Sequence, residues 1–148
     1  MEETIEAEIA IVGAGPAGTT CALHLANHGI KSILIDKATF PRDKICGDAI
    51  SGNAVYELEK LGKEFSSLFT DFNGKIPTAG IKFFAPSGKS LYLKMKKVRE
   101  GFNHPGFVSS RIDYDNFLLE QVKKNNLIKV VEGISIHEII QYVFYEKH

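Results

Sequence analysis

An α/β fold built around a parallel sheet is predicted by three observations. A strand-like run at residues 7–12 (AEIAIV) enters the turn GAGPAG, residues 13–18. A helical pattern follows at 16–28 (PAGTTCALHLANH). After Gly29 comes a second apolar run, KSILID at 31–36. Strand, glycine turn, helix and strand within roughly thirty residues form a βαβ unit, whose strands run parallel. At 148 residues the chain is long enough for one domain with its own core.

Pro16 suits the opening turn of the helix, where its missing N–H would have no intrahelical acceptor. The spacing of Ala17, Cys21, Leu25 and His28, with Ala22 and Leu23, predicts the buried side, so Cys21 is expected as a buried thiol. Gly29 is a good stop. A charged loop, ATFPRDKICGDAIS at 38–51, follows the second strand. Val55, Leu58 and Leu61 then predict a short helix over 53–61, ended by Gly62. Residues 63–80 carry no clear pattern. IKFFAP and KSLYLKM read as a β-hairpin turning near Pro86 to Gly88. Residues 99–108 read as loop. Asp113 is placed to cap a helix over 114–124 with Phe117, Leu118 and Val122 as its buried stripe. LIKVVEG reads as a strand, and residues 134–148 as one or two more.

Hydrophobic residues make up 44% and charged residues 24%, a soluble globular balance. Lys plus Arg and Asp plus Glu are 18 each, so nothing in the total charge points to nucleic acid. The basic run from Lys94 to Arg99 reads as a solvated face or a phosphate-facing edge. Two cysteines argue against a disulfide framework and for a reducing, cytoplasmic setting. The acidic start MEETIEAE is unlike a leader, and no apolar run is long enough to span a bilayer. Peripheral membrane contact stays compatible with this. His24, His28, His104, His137 and His148 lack metal-ligand spacing, so no metal site is expected.

GAGPAG carries the first chemistry. Gly13 allows the sharp strand-to-helix turn, Gly15 lets a diphosphate approach the backbone, and Gly18 lets the helix pack close to the sheet. Gly13, Ala14, Gly15, Pro16, Ala17 and Gly18 form the turn whose free N–H groups at the helix start, Pro16 having none, face the phosphates. Asp36, at the end of the second strand, is placed to accept the ribose hydroxyls of an adenosine and to repel a 2′-phosphate, with Lys37 beside it as a counterweight. These residues point to FAD or NAD without separating the two.

Three segments resemble the FAD-dependent monooxygenase and reductase superfamily typified by p-hydroxybenzoate hydroxylase. They are residues 9–41, the FPRDKICGDAIS stretch at 40–51, and VSSRIDYDNFLLEQV at 108–122. The second is most similar to the geranylgeranyl reductase branch; residues 60–105 match loosely. The resemblance implies a Rossmann-like FAD-binding domain of the GR2 type. Residues 1–148 would be its N-terminal part, and 63–108 a substrate-side insertion containing the hairpin. It implies extended FAD on Gly13 to Gly18 and Asp36, with Arg42 reaching the pyrophosphate or ribityl region and Arg111 bracing the cofactor wall. Cys46 and Gly47 would lie near the flavin ring, with Cys46 as the candidate catalytic side chain. Asp48 departs from the small residue expected after that pair.

The implied activity is hydride transfer from reduced flavin to the alkenes of a prenyl lipid or other small molecule, with NAD(P)H as a transient electron donor. A flavin-dependent monooxygenase or halogenase, or a non-catalytic nucleotide-binding module, is the alternative. The oligomeric state is open. Members of the superfamily are more than twice this length and carry a later Gly-Asp motif. Gly47-Asp48 lies too early to be that motif, so the chain is expected to be an incomplete, N-terminal portion of a reductase or an unusually short relative.

Overall fold

The structure, a computed structural model, describes residues 5–94 and 106–140. The βαβ unit is β1 (Ile9–Val12), α1 (Pro16–Asn27) and β2 (Ser32–Asp36), with β1 and β2 parallel and Ile9 opposite Ser32. The Gly13 N–H donates to the Ile35 carbonyl at 2.7 Å, carrying the ladder one residue into the turn. The buried face of α1 is Thr19, Ala22, Leu23 and Ala26. Ala22 and Leu23 were expected there. Cys21 was expected to be buried but is exposed, as are Ala17 and His28. At about 100° per residue, positions 17, 21, 25 and 28 cluster on the side opposite Thr19 and Ala26. The Thr19 side is the one packed into the core.

The loop at 38–51 ends in β3 (Ala49–Ser51), followed by α2 (Gly52–Glu59) and α3 (Lys63–Asp71). Ser51 caps α2 by accepting from the Ala54 N–H at 3.2 Å. Residues 63–80 carry no clear pattern, yet α3 forms there because Phe65 and Phe69, one turn apart, are both buried. Next come β4 (Ile76–Pro77), β5 (Gly80–Phe84), β6 (Ser90–Lys94), β7 (Gly106–Val108), α4 (Arg111–Lys123) and β8 (Ile128–Glu132). β7 replaces part of the expected loop at 99–108. It pairs antiparallel with both β3 and β4, so a second, three-stranded sheet sits beside the parallel one.

α4 starts three residues before its expected start. Ser110, not Asp113, is the N-cap, its Oγ accepting from the Asp113 N–H at 3.2 Å. Tyr114, Asp115, Leu118, Leu119 and Val122 are its buried residues; Phe117 is only partly buried. β8 pairs parallel with β2, giving the order β1-β2-β8. Among the described residues β1 is therefore an edge of this sheet, with Val12 66% exposed. No strand forms over 134–140, and the rest of the strand expected at 134–148 lies outside the described residues.

The core runs from Ala22, Leu34, Leu118, Leu119 and Val122, all at 0% exposure, to an aromatic group of Phe65, Phe69, Phe72, Phe107 and Phe117. Phe72 and Phe117 stack at 4.5 Å. Lys75 joins this group from below. Its ammonium donates to the Thr70 and Phe72 carbonyls, both at 2.8 Å, and lies 5.0 Å from the Phe69 ring centre. It thereby satisfies carbonyls left open at the end of α3. Burial lowers its pKa, against the opposing effect of Asp71.

The hairpin β5–β6 turns at Gly88 (φ +81), as expected. Cross-strand partners share a face. Ile81 with Leu93 and Phe83 with Leu91 make one face wholly apolar, and all four side chains are about half exposed or more. The other face carries Lys82, Phe84, Tyr92 and Lys94.

Candidate functional site

Three chain segments meet at the carboxyl ends of β1 and β2. The first is the glycine turn. Gly13 has φ +104, a conformation that a side chain would strain. A Cβ on Gly18 would lie 1.9 Å from the Gly13 carbonyl oxygen, so only glycine lets α1 start this close to the turn. The second is the end of β2. Asp36 is 8% exposed, its Oδ2 accepting from the Ala14 N–H at 2.7 Å and its Oδ1 from the Ala38 N–H at 2.9 Å. The acid expected to meet a ribose is thus also the internal brace of the turn. Each oxygen keeps a further lone pair. Ala14, expected among the cofactor contacts, is fully buried and its N–H is committed to Asp36.

The third segment is the start of α4. Arg111 forks onto Asp115 one turn later, Nε to Oδ1 at 2.7 Å and Nη2 to Oδ2 at 2.6 Å. Arg42, arriving from the loop after β2, donates Nη1 to the same Oδ2 at 3.0 Å. Its guanidinium lies 4.7 Å above the Phe40 ring, next to the cis Phe40–Pro41 peptide. The Asp115 side chain is fully buried, and the two arginine side chains are 12% and 17% exposed. The hydrogen bonds to Asp115 hold the Arg111 guanidinium even more firmly protonated than usual. Burial, with Asp115 adjacent, pushes the Tyr114 hydroxyl up to about 12. Asp113, at the same helix start, bonds the Ser110 hydroxyl instead.

A further brace comes from Glu132 at the end of β8. Its Oε1 accepts from the Phe40 N–H at 2.7 Å and its Oε2 meets Lys123 Nζ at 2.8 Å. Burial alone raises the carboxyl pKa, but the Lys123 hydrogen bond and the Phe40 N–H outweigh it and hold the group below its usual value. A depressed carboxyl contributes stability that is complete above its unfolded pKa and is lost as pH falls through the folded one. Glu132→Gln should therefore lower stability at neutral pH by about 1 kcal/mol, discounted for partial exposure. It should also flatten the decline in stability below the ordinary carboxyl range. Urea melts at a series of pH values measure both effects; parallel pH profiles for variant and wild type would refute the assignment.

Together these segments line a cleft of about 880 Å³. Gly13, Gly15, Pro16, Ala17 and Gly18 form its floor, Asp36 and Lys37 one end, and Arg42 and Arg111 a wall. Ile134, Ser135 and Ile136 close another side. Cys46 and Gly47, expected near a flavin ring, are exposed and do not line it. Cys46 bears on the cleft through Arg111, whose protonated form it favours slightly. Asp115 and Glu132 were not singled out as site residues. Among the described residues no group of three or more His, Cys, Asp or Glu side chains is placed to hold a metal. No helix among them is long and apolar enough to cross a membrane.

The cleft's donors suit a diphosphate: bare backbone at Gly15, a helix start, and two guanidinium groups. Residues 6–65 match the family model described as FAD binding domain. Over that stretch the chain is similar to an FAD-binding domain. Over 56 residues it is 52% identical to the menaquinone reductase of Mycobacterium tuberculosis, covering 38% of this chain and 14% of that protein. Over 114 residues it is 31% identical to digeranylgeranylglycerophospholipid reductase 1 of Methanothermobacter thermautotrophicus, covering 76% of this chain and 26% of the relative. The fold is similar to that of p-nitrophenol 4-monooxygenase from Pseudomonas putida, with a TM-score of 0.75 and 17% identity, over 95% of this chain and 35% of that one.

The chain thus spans well under two thirds of each of these proteins. The Rossmann-like FAD-binding fold expected from the sequence is the one observed, and FAD is its cofactor. The residues present fit that group: Gly13 to Gly18 and the arginine pair would hold its diphosphate, and Asp36 its adenosine ribose.

Proposed function

We propose that the chain is the cofactor-binding part of an FAD-dependent reductase that saturates alkenes in a prenyl-chain lipid. The observation that carries this reading is the similarity, over 76% of the chain, to a relative named as a prenyl phospholipid reductase. The hairpin supports it. Its bare apolar face of Ile81, Phe83, Leu91 and Leu93 suits an isoprenoid chain, and Lys82, Lys89 and Lys94 near it suit a phosphorylated head or an anionic lipid surface. When bound, the reduced flavin supplies the hydride. The chain's own residues bind the diphosphate, orient the adenosine and brace the loop that carries Arg42. NAD(P)H is the proposed electron source.

The test begins with the visible spectrum of the purified protein before and after denaturation, followed by titration with FAD and NAD. Flavin bands, or saturable FAD binding, are expected. A colourless protein that takes up NAD but not FAD would sink the reading. The second step supplies chemically reduced flavin and a geranylgeranyl phospholipid without oxygen and reads saturation by mass spectrometry. Product formed only when the assay is repeated with oxygen would favour a monooxygenase.

A further inference from the structure

We propose that Asp115 is a positioning residue for the cofactor: a shared, buried counter-ion that holds Arg42 and Arg111 side by side over the phosphate turn, so that the pair grips a diphosphate. The inference rests on the FAD reading and goes beyond it by assigning work to a side chain that touches no ligand.

The geometry is specific. A Cβ placed on Gly15 would lie 3.7 Å from Nη2 of Arg111 and 3.7 Å from Nη2 of Arg42. Both guanidinium groups therefore converge on the one glycine whose bareness lets a diphosphate reach the backbone. Two cations this close repel each other, and in a weakly solvated site the repulsion is substantial. Asp115 removes it by taking a hydrogen bond from each.

The site also keeps the charge a diphosphate needs. Two arginines and one aspartate leave +1, and the start of α1 adds about half a charge. It therefore stays net positive toward the dianionic diphosphate of a dinucleotide while the two arginines are held together. Donors remain for it. Arg111 commits Nε and one Nη2 hydrogen to Asp115, and Arg42 commits Nη1, so further N–H groups of both forks can still reach a ligand, even with Cys46 as a lesser neighbour of Arg111. Spacing explains the arrangement: Asp115 is one helical turn after Arg111 and fully buried, where a carboxylate survives only if paired.

The test uses the full chain with ADP and adenosine as probes, titrated by NMR. Asp115→Asn should weaken ADP binding by about tenfold or more, as expected for misaligned charge-assisted bonds, and leave adenosine nearly unchanged. The effect should be non-additive with Arg42→Gln, because both act on the same diphosphate. A purely structural role would lower thermal stability without this selectivity for the diphosphate. Wild-type ADP affinity in Asp115→Asn, or a loss shared equally by adenosine, overturns the proposal.

If Asp115→Asn does not fold, Arg111→Lys carries the test. It keeps the charge and loses the fork, so ADP affinity should still fall, and unchanged affinity overturns the proposal. A wild type that binds ADP but not FAD would remove the flavin reading and leave the clamp standing. A wild type that binds FAD, with Asp115→Asn equal to it, does the reverse.

Discussion

Gly18→Ala is expected to destabilise the protein by about 3 kcal/mol or more and to abolish FAD binding, through a collision that has no soft partner. The added methyl would sit 1.9 Å from the Gly13 carbonyl oxygen, 3.1 Å from its carbonyl carbon and 3.3 Å from Ile11 Cγ2. A flexible side chain could swing away, but the Gly13 peptide cannot. The Ala14 N–H of that peptide is tied to Asp36 Oδ2 and the Gly13 N–H to the Ile35 carbonyl, both at 2.7 Å, and the Gly13 φ of +104 already lies where few alternatives exist. Relief would require α1 to lift off the sheet, exposing Thr19 and Ala22, both at 0% exposure.

Gly15→Ala is the informative contrast. Its Cβ would make only ordinary 3.7 Å contacts with the two arginines, so the fold should survive. The methyl would nevertheless stand where a diphosphate must approach. Urea melts and FAD titrations of both variants separate the roles: stability and binding fall together at position 18, and binding alone falls at position 15. Wild-type stability in Gly18→Ala would show that the helix is not held by this contact.

The βαβ unit was legible because its signals are local: a glycine turn between two apolar runs, with an acid at the end of the second. The choice of helix face was less so. Residues 17, 21, 25 and 28 form a plausible stripe of small and apolar groups, but Thr19 and Ala26 are on the buried side. Only the packing of α1 against both the sheet and α4 decides between the two sides. Helix α3 escaped notice because Ser66, Ser67 and Thr70 weaken its propensity, and Phe65 and Phe69 reveal their role only when Phe107 and Phe117 arrive from distant segments.

Asp115 did leave a trace in the sequence. It is an acid on the same helical stripe as Leu118, Leu119 and Val122, four residues after an arginine, and a carboxylate in such a place needs a cation. Glu132 left none, since its partner N–H at Phe40 lies 92 residues away in the chain. Arg42 was assigned a phosphate-facing role from resemblance. What the structure adds is the company it keeps: the loop is pinned at Phe40 by Glu132 and at Arg42 by Asp115.

Asp36→Ala should cost both stability and adenosine affinity, and the two losses have separate origins. The stability term comes from the protein itself. The Ala14 N–H is fully buried and has Asp36 Oδ2 at 2.7 Å as its acceptor, so truncation strands a donor away from water at a cost of about 1–3 kcal/mol. The Ala38 N–H, in a partly buried site, adds less. Asp36→Asn should fall between wild type and alanine, because its amide keeps one acceptor and turns a donor toward the other N–H.

The affinity term comes from the lone pairs that remain free, which are placed to take the ribose hydroxyls. If titration with adenosine gave equal affinity for wild type and Asp36→Ala, the carboxylate would be a brace alone. The same group supplies a discrimination test. Asp36 and the nearby Glu132 make the end of β2 doubly acidic, offset in part by Lys37, so a 2′-phosphate on the ribose should be disfavoured. Wild type should bind ADP more tightly than 2′-phospho-ADP, and Asp36→Asn should narrow that gap chiefly by losing affinity for ADP, with repulsion of the phosphate relieved at the same time. A gap that persists unchanged in the variant would move the discrimination to Glu132, where Glu132→Gln would then have to remove it.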